Sequence, residues 1–248
     1  MAQNRGATVD ATEVERFAAI APEWWSENGA FRPLHRLNPA RIGYIRDRLA
    51  AHLARDIKKR TPFAGLNLLD IGCGGGLICE PMARLGFAVT GIDADTTALT
   101  VAREHAATQG LAIDYRDDDA QDMAARDRNF DAVLALEVVE HAADPVLFVA
   151  TAARLVRPGG ALILSTINRT PKAYAAAIIG AEYVLRWLPR GTHEYRKFRR
   201  PSELARDVRA AGLIVEDITG LAYHPWRDRW QQATDLGVNY LLFATSPK

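Results

Sequence analysis

The sequence predicts an α/β fold: a seven-stranded, mostly parallel sheet with helices on both faces, an N-terminal helical cap and a helical insertion after the fifth strand. Three observations predict it. Strand-like apolar runs alternate with helix-period segments from Leu66 to Ile167, the pattern of parallel strands joined by crossover helices. The first run ends in an acid and breaks into four glycines, Leu-Asp-Ile-Gly-Cys-Gly-Gly-Gly over 69–76. The second, Phe87 to Ile92, ends in Asp93, about twenty residues beyond Gly72, where nucleoside-binding α/β folds place the acid that holds ribose hydroxyls.

Taken in order, Thr12–Trp25 and Pro39–Arg55 read as amphipathic helices that cover the ligand edge. The expected strands are Leu66–Ile71, Phe87–Ile92, Ala112–Tyr115, Asp131–Leu136, Ala161–Thr166, Leu213–Ile218 and Asn239–Thr245. Helices are expected between them at Leu77–Leu85, Thr96–Gln109 and Pro145–Val156, the last stopped by Arg157-Pro158-Gly159-Gly160, since Pro and Gly after a helix end it. With no repeat and no low-complexity linker, the chain divides into a cap over 1–60 and a main domain over 61–248 that carries an insertion over 169–201.

Composition narrows the classes. At 248 residues and 48% hydrophobic, the chain can bury a core of enzyme size. A net charge of +1 gives no electrostatic case for nucleic acid. Two cysteines, Cys73 and Cys79, exclude a disulfide framework and fit a reducing cytoplasm. No apolar h-region opens the chain and no apolar stretch reaches membrane-span length. The expectation is a cytoplasmic protein, soluble or held at the inner membrane surface.

Two segments carry chemistry. Glycines at 72, 74, 75 and 76 let a ligand approach the main chain, and the following helix turns free N–H groups toward the loop. A pyrophosphate fingerprint needs a third glycine where Leu77 stands, which disfavours an NAD-dependent oxidoreductase. The other segment is Leu136-Glu137-Val138-Val139-Glu140-His141, at the expected carboxyl end of the fourth strand, beside the glycine loop. If the chain turns helically there, Glu137, Glu140 and His141 stand at i, i+3 and i+4 and share a face. Three readings stand: a divalent-metal site for Mg²⁺ or a similar ion such as Mn²⁺ or Zn²⁺, an acid/base group in which His141 and Glu140 serve catalysis, or residues that support the loop.

Leu69 to Gly76 resembles motif I of the class I S-adenosylmethionine-dependent methyltransferases, which have a Rossmann-like fold. That resemblance implies Asp70 near the donor's ammonium, Gly72 and Gly74 in close contact with it, and Asp93 on its ribose. More specific is an ordered set: Pro33 to Ile45, Glu137 to His141, Ser165 to Thr170, Gly180 to Tyr183, Pro189 to His193 and Val238 to Tyr240. With it the chain resembles the ubiquinone biosynthesis O-methyltransferase family from about Phe17 onward. The family implies S-adenosylmethionine as methyl donor and methylation of a ring oxygen on two polyprenylated substrates, a 2-polyprenyl-6-hydroxyphenol and a 3-demethylubiquinol. It also implies donor contacts at Arg41, Gly72, Asp93 and Leu136 and a magnesium site at Glu137, Glu140 and His141. Val138 stands where some relatives carry Met, a change of packing.

Arg41 in the cap helix has a plain alternative as an exposed helix charge, and Asp119 to Met123 is either an adenine contact or a solvated loop. Ala173–Leu188 is apolar with basic flanks, Lys172, Arg186, Arg190, Arg196, Lys197, Arg199 and Arg200. It reads as a lid helix or as a segment lying on anionic membrane lipid over 172–200. Expected partners are the polyprenylated phenol or quinol and other ubiquinone-synthesis enzymes, with no nucleic acid. A non-catalytic cofactor-binding member of a quinone-synthesis complex is the remaining alternative.

Overall fold

The apolar runs become strands of one sheet in a computed structural model, in which residue 18 and residues 20–126, 129–175 and 195–248 are described. The strands are β1 (Asn67–Ile71), β2 (Ala88–Ile92), β3 (Asp114–Arg116), β4 (Phe130–Leu136), β5 (Val156–Ile167), β6 (Ile214–His224), β7 (Arg229–Ala233) and β8 (Asn239–Thr245). Their spatial order is β3-β2-β1-β4-β5-β8-β6-β7. Pairs from β3 across to β5 are parallel, and β8 joins both β5 and β6 antiparallel. Every residue of β4 is buried, which is why that run is apolar throughout and not alternating.

The helices are α1 (Arg32–His52), α2 (Cys79–Arg84), α3 (Thr96–Thr108), α4 (Ala120–Ala125), α5 (Pro145–Arg154) and α6 (Pro201–Ala210). Three begin at an aspartate whose carboxylate takes orphan N–H groups of the first turn: Asp95 from Thr97, Asp119 from Gln121, and Asp144 from Val146 and Leu147. Such caps are worth about 1 kcal/mol each. The sheet's two faces build two cores. Leu68, Val89, Leu134, Ile163 and Phe243 pack with Tyr44, Ile45 and Leu49 of α1 and Leu99 of α3. Leu69, Ile71, Val133, Leu162 and Leu242 pack with Met123, Phe148, Val149 and Leu204 from α4, α5 and α6. Successive strand residues alternate between the two, as the pleat requires.

Besides α4 and α6, two helices that the sequence reading did not place, the structure departs from the expected elements in five places. The sheet has eight strands, because β7 pairs antiparallel with β6. Its sequence, Arg-Trp-Gln-Gln-Ala, is half-exposed at the sheet edge and shows no apolar run. For the same reason β6 continues to His224, past the expected end at Ile218. Arg157 to Gly160 do not separate helix from strand; they lie within β5, where pairing with β4 steps from Phe130↔Val156 to Ala132↔Ala161. The helix expected from Pro39 starts at Arg32, with Pro33 in its first turn and Pro39 inside it. Pro33 fits a helix start, whereas Pro39 forfeits one i→i−4 bond, offset by the buried Leu37, Tyr44, Ile45 and Leu49 on the same helix. Of the Thr12–Trp25 helix, residue 18 is helical and a 3₁₀ turn follows at Ala21–Glu23 with further turns after it; residues 12–17 and 19 lie outside the described residues. The Ala173–Leu188 helix likewise lies outside them beyond residue 175; what is described is a helical turn at Pro171–Ala173.

Candidate active site

The strand order reverses between β1 and β4: the chain runs outward from β1 through β2 to β3, then returns to the other side of β1. In open α/β sheets ligands bind at the carboxyl ends of the strands at such a switch point. Asp70, the glycine loop, Asp93 and the segment after Leu136 all lie there.

Three glycines of the loop are obligatory, Gly76 among them, with φ +86° and a Cβ position 2.2 Å from the Tyr115 hydroxyl. Gly72 has φ +71°, and a Cβ on it would lie 2.5 Å from Val138 Cγ2; Gly74 has φ +51°, and its Cβ would fall 2.3 Å from Trp24 Cζ2. None of these positions accepts a side chain, by torsion or by space. The loop is fixed to β2 by main-chain bonds from Gly72 and Cys73 to the Ile92 carbonyl. Asp93 adds a second tie: its Oδ2 accepts from Gly74 N at 2.7 Å and its Oδ1 from Asp95 N at 2.9 Å. Burial pushes the Asp93 carboxyl upward, and these N–H groups oppose the shift.

Asp70 lies beneath the loop with 3% of its surface exposed and accepts a thiol hydrogen bond from Cys79 at 3.3 Å. Burial raises its pKa to about 7, the Cys79 bond and the Arg41 charge opposing and Asp93 adding. An isolated buried carboxylate is costly, so the site favours a cation above Asp70. Cys79 was legible only as a thiol in the helix after the loop; nothing in the sequence pairs it with Asp70.

Arg41 is not an exposed helix charge. It is 3% exposed, and its Nη2 donates to Glu137 Oε1 at 2.7 Å. Its Nε is buried without a hydrogen-bond partner. The site therefore sets a buried cation with an unused donor close to a buried anion, Asp70.

After Leu136, which closes β4 opposite Ser165, the chain does not continue as a helix. Glu137 has φ +58°, a left-handed conformation that costs about 1–3 kcal/mol in a residue with a side chain. It is held by Arg41, by Ser165 Oγ donating to Oε1 at 2.8 Å, and by its own N–H to the Ser165 carbonyl at 3.0 Å. Only Val139–His141 form a 3₁₀ turn. The common helical face expected for Glu137, Glu140 and His141 is thus broken at Glu137. Glu140 is buried and accepts from Thr166 Oγ1 at 2.8 Å; burial, then the charge of Glu137, push its carboxyl well above the usual range, while His141 opposes. Among the described residues no three His, Cys, Asp or Glu side chains are grouped so as to hold a metal ion. With Glu137 on Arg41 and Glu140 on Thr166, the arrangement does not fit a three-ligand cation site.

Asp119 caps α4 through Gln121 N at 2.7 Å, and Met123 is buried in the core, so of Asp119 to Met123 only the polar positions 119, 121 and 122 remain for a ligand. Sequence reasoning missed Trp24, which lies against Gly74 and Gly75; the Trp-Trp pair at 24–25 was its only signal.

This fold and this loop define the class I methyltransferases. The family described as a methyltransferase domain matches residues 69–164. The fold is that of magnesium protoporphyrin IX methyltransferase from Synechocystis, 19% identical over 95% of both chains with a TM-score of 0.63. A S-adenosylmethionine-dependent methyltransferase from Clostridium acetobutylicum gives a TM-score of 0.62 at 12% identity, covering 94% of this chain and 99% of that one. Much nearer in sequence are proteins called ubiquinone biosynthesis O-methyltransferase. The one from Chelativorans sp. is 56% identical over all of this chain and 98% of its own length, and that from Mesorhizobium japonicum is 54% identical over 98% of each. The chain belongs to the ubiquinone biosynthesis O-methyltransferase family. A dinucleotide-dependent oxidoreductase, already disfavoured by Leu77, falls away with that membership.

Proposed function

We propose that this chain transfers the methyl group of S-adenosylmethionine to a ring oxygen of polyprenylated phenols, a 2-polyprenyl-6-hydroxyphenol and a 3-demethylubiquinol. One observation carries the donor half: Arg41, buried with Nε unpartnered, near the buried Asp70. A methionine tail is a zwitterion, and its carboxylate and ammonium match that cation and that anion. Gly72 and Gly74 give the donor access to the main chain, Asp93 takes the ribose, and Leu136 bounds the donor at the end of β4.

The methyl group moves in line from sulfur to the phenolic oxygen, so catalysis consists of alignment and of removing the phenolic proton. Free phenols ionise near pH 10, which calls for a base. His141 is that base in this reading; Glu140 beside it, whose carboxyl burial pushes well above the usual range, is held by Thr166. A divalent cation enters only through a rearrangement, in which Glu137 leaves Arg41 and Glu140 leaves Thr166. Loss of turnover in chelator, restored by Mg²⁺, would establish a metal requirement; full turnover in chelator would leave His141 alone as base.

No helix among the described residues is long and apolar enough to cross a membrane. A polyprenylated substrate is stored in lipid, and the basic, apolar stretch 172–200 supports contact with an anionic lipid surface. Arg199 is ion-paired with Asp207, so the informative charges to neutralise are the exposed Arg196 and Arg200; undiminished co-sedimentation with anionic liposomes would argue against the lipid role. The reaction itself is tested by turnover with labelled S-adenosylmethionine and a short-chain demethylubiquinol.

A further inference from the structure

The glycine loop is covered by an aromatic residue from the cap. Positions for a Cβ on Gly75 lie 2.4 Å from Trp24 Cγ, and on Gly74 2.3 Å from Trp24 Cζ2, so the indole lies along the main chain of both glycines. Its other side stacks on Phe31, with ring centroids 3.7 Å apart and planes 9° from parallel. The next residue fixes this placement independently. Trp25 Nε1 donates to the Gly75 carbonyl at 2.9 Å, and its ring stacks on His105 of α3 at 3.5 Å. His105 Nδ1 bonds Glu80 Oε1 at 2.5 Å, and Glu80 is fully buried. His35 Nε2 donates to the Trp24 carbonyl at 2.8 Å. Trp24 is therefore clamped between the cap and the loop.

One group in this clamp is unaccounted for. Trp24 Nε1 is buried and has no hydrogen-bond partner, although buried indole N–H groups usually find an acceptor. The neighbouring Trp25 has an acceptor in the same loop, so the difference between the two indoles is local. Gly74 lies against the six-membered ring, with Cζ2 2.3 Å and Cη2 2.5 Å from its Cβ position and Cε2, the carbon bonded to Nε1, at 3.0 Å; Gly74 is also the residue whose N–H is tied to Asp93.

We propose that Trp24 is a donor-binding residue: with its ring packed between the Gly74–Gly75 main chain and Phe31, its free edge borders the S-adenosylmethionine site and its Nε1–H donates to an acceptor atom of the bound cofactor. This rests on the reading that the loop holds S-adenosylmethionine. It also gives Gly75 a reason to be glycine that is separate from the ligand, since a side chain there would displace the Trp24 indole.

The probe is S-adenosylhomocysteine, titrated by calorimetry into wild type, Trp24→Phe and Trp24→Ala, with circular dichroism and thermal midpoints recorded for each. Trp24→Phe keeps an aromatic ring and removes the N–H; its Kd should rise about fivefold, the net worth of one hydrogen bond, and Trp24→Ala should bind more weakly still. In turnover the loss should fall on the donor KM more than on kcat, which a general loss of folded protein would not produce. A second measurement does not depend on the variants folding. In ¹⁵N spectra of the wild type, the Trp24 indole N–H should shift downfield on saturation. An unchanged Kd in Trp24→Phe, or an indole resonance that does not move in wild type that binds the ligand, overturns the proposal. Absence of binding to wild type would instead refute the donor site itself.

Discussion

Replacing Arg41 by Gln tests the donor-tail contact most closely, because the arginine's present bonds set what the change costs. Arg41 is 3% exposed and its guanidinium makes a 2.7 Å bond to Glu137. A charge-assisted hydrogen bond is worth about 1.5–3 kcal/mol, so losing the one to the donor carboxylate should raise the Kd for S-adenosylhomocysteine about 10- to 150-fold. The fold pays separately. Removing one partner of a fully buried pair costs about 3–5 kcal/mol, but the Glu137 side chain is 25% exposed and keeps Ser165. About 1–3 kcal/mol is the expected cost, a fall in Tm of about 2–12 °C for a chain of this size. Calorimetry separates the two effects if 5′-methylthioadenosine is titrated beside S-adenosylhomocysteine, since it shares the nucleoside and lacks the amino-acid tail. The first ligand should bind the variant as it binds wild type while the second is weakened. Equal losses for both, or an unchanged Kd for S-adenosylhomocysteine, would refute the assignment of Arg41 to the tail.

Asp70 predicts a pH dependence. Its pKa in the ligand-free protein is raised to about 7; a cationic ammonium favours the ionised form, so binding releases a proton below that pH and affinity is lost as pH falls. The Kd for S-adenosylhomocysteine should rise about tenfold from pH 8 to pH 6, and Asp70→Asn should flatten the profile; a profile unchanged in the variant assigns the titration elsewhere. Gly72→Ala should cost about 1–3 kcal/mol and abolish donor binding, because the added methyl meets Val138 Cγ2 at 2.5 Å. Val138→Ala in the same chain should recover part of the binding, since it removes the clash and leaves only the torsional cost. His141→Gln should lower kcat by about 10²–10⁴ with little change in donor Kd, and substrates with more acidic phenols should be less affected; an unchanged kcat removes His141 as base.

The sequence revealed the parts of the molecule whose chemistry is local. Glycines at 72 and 74, the acids that end β1 and β2, and the period of the buried strands are set by torsion and by the pleat, and each is found where those rules put it. What escaped depends on partners distant in sequence. β7 is an edge strand with a single large apolar residue, Trp230, so its pairing with β6 left no periodic trace. Pro39 hid the start of α1 because tertiary burial overrides a local breaker. The turn of Glu137 into a left-handed conformation follows from ties to Arg41 and Ser165, 96 and 28 residues away, and it dismantled a helical face that spacing alone made plausible. Trp24 reaches the glycine loop across about fifty residues of chain, a distance at which an aromatic pair in a cap segment looks like any core residue.

The central claim is methyl transfer to oxygen at the site between Asp70 and His141. Its most direct measurement is the product formed from S-adenosylmethionine carrying a ¹³C methyl group and a short-chain 3-demethylubiquinol, read by NMR. A methoxy carbon on the ring, formed in equal amount with S-adenosylhomocysteine, is the predicted result. Label on a ring carbon, or a folded protein that binds the donor and transfers nothing to either phenol, would contradict it.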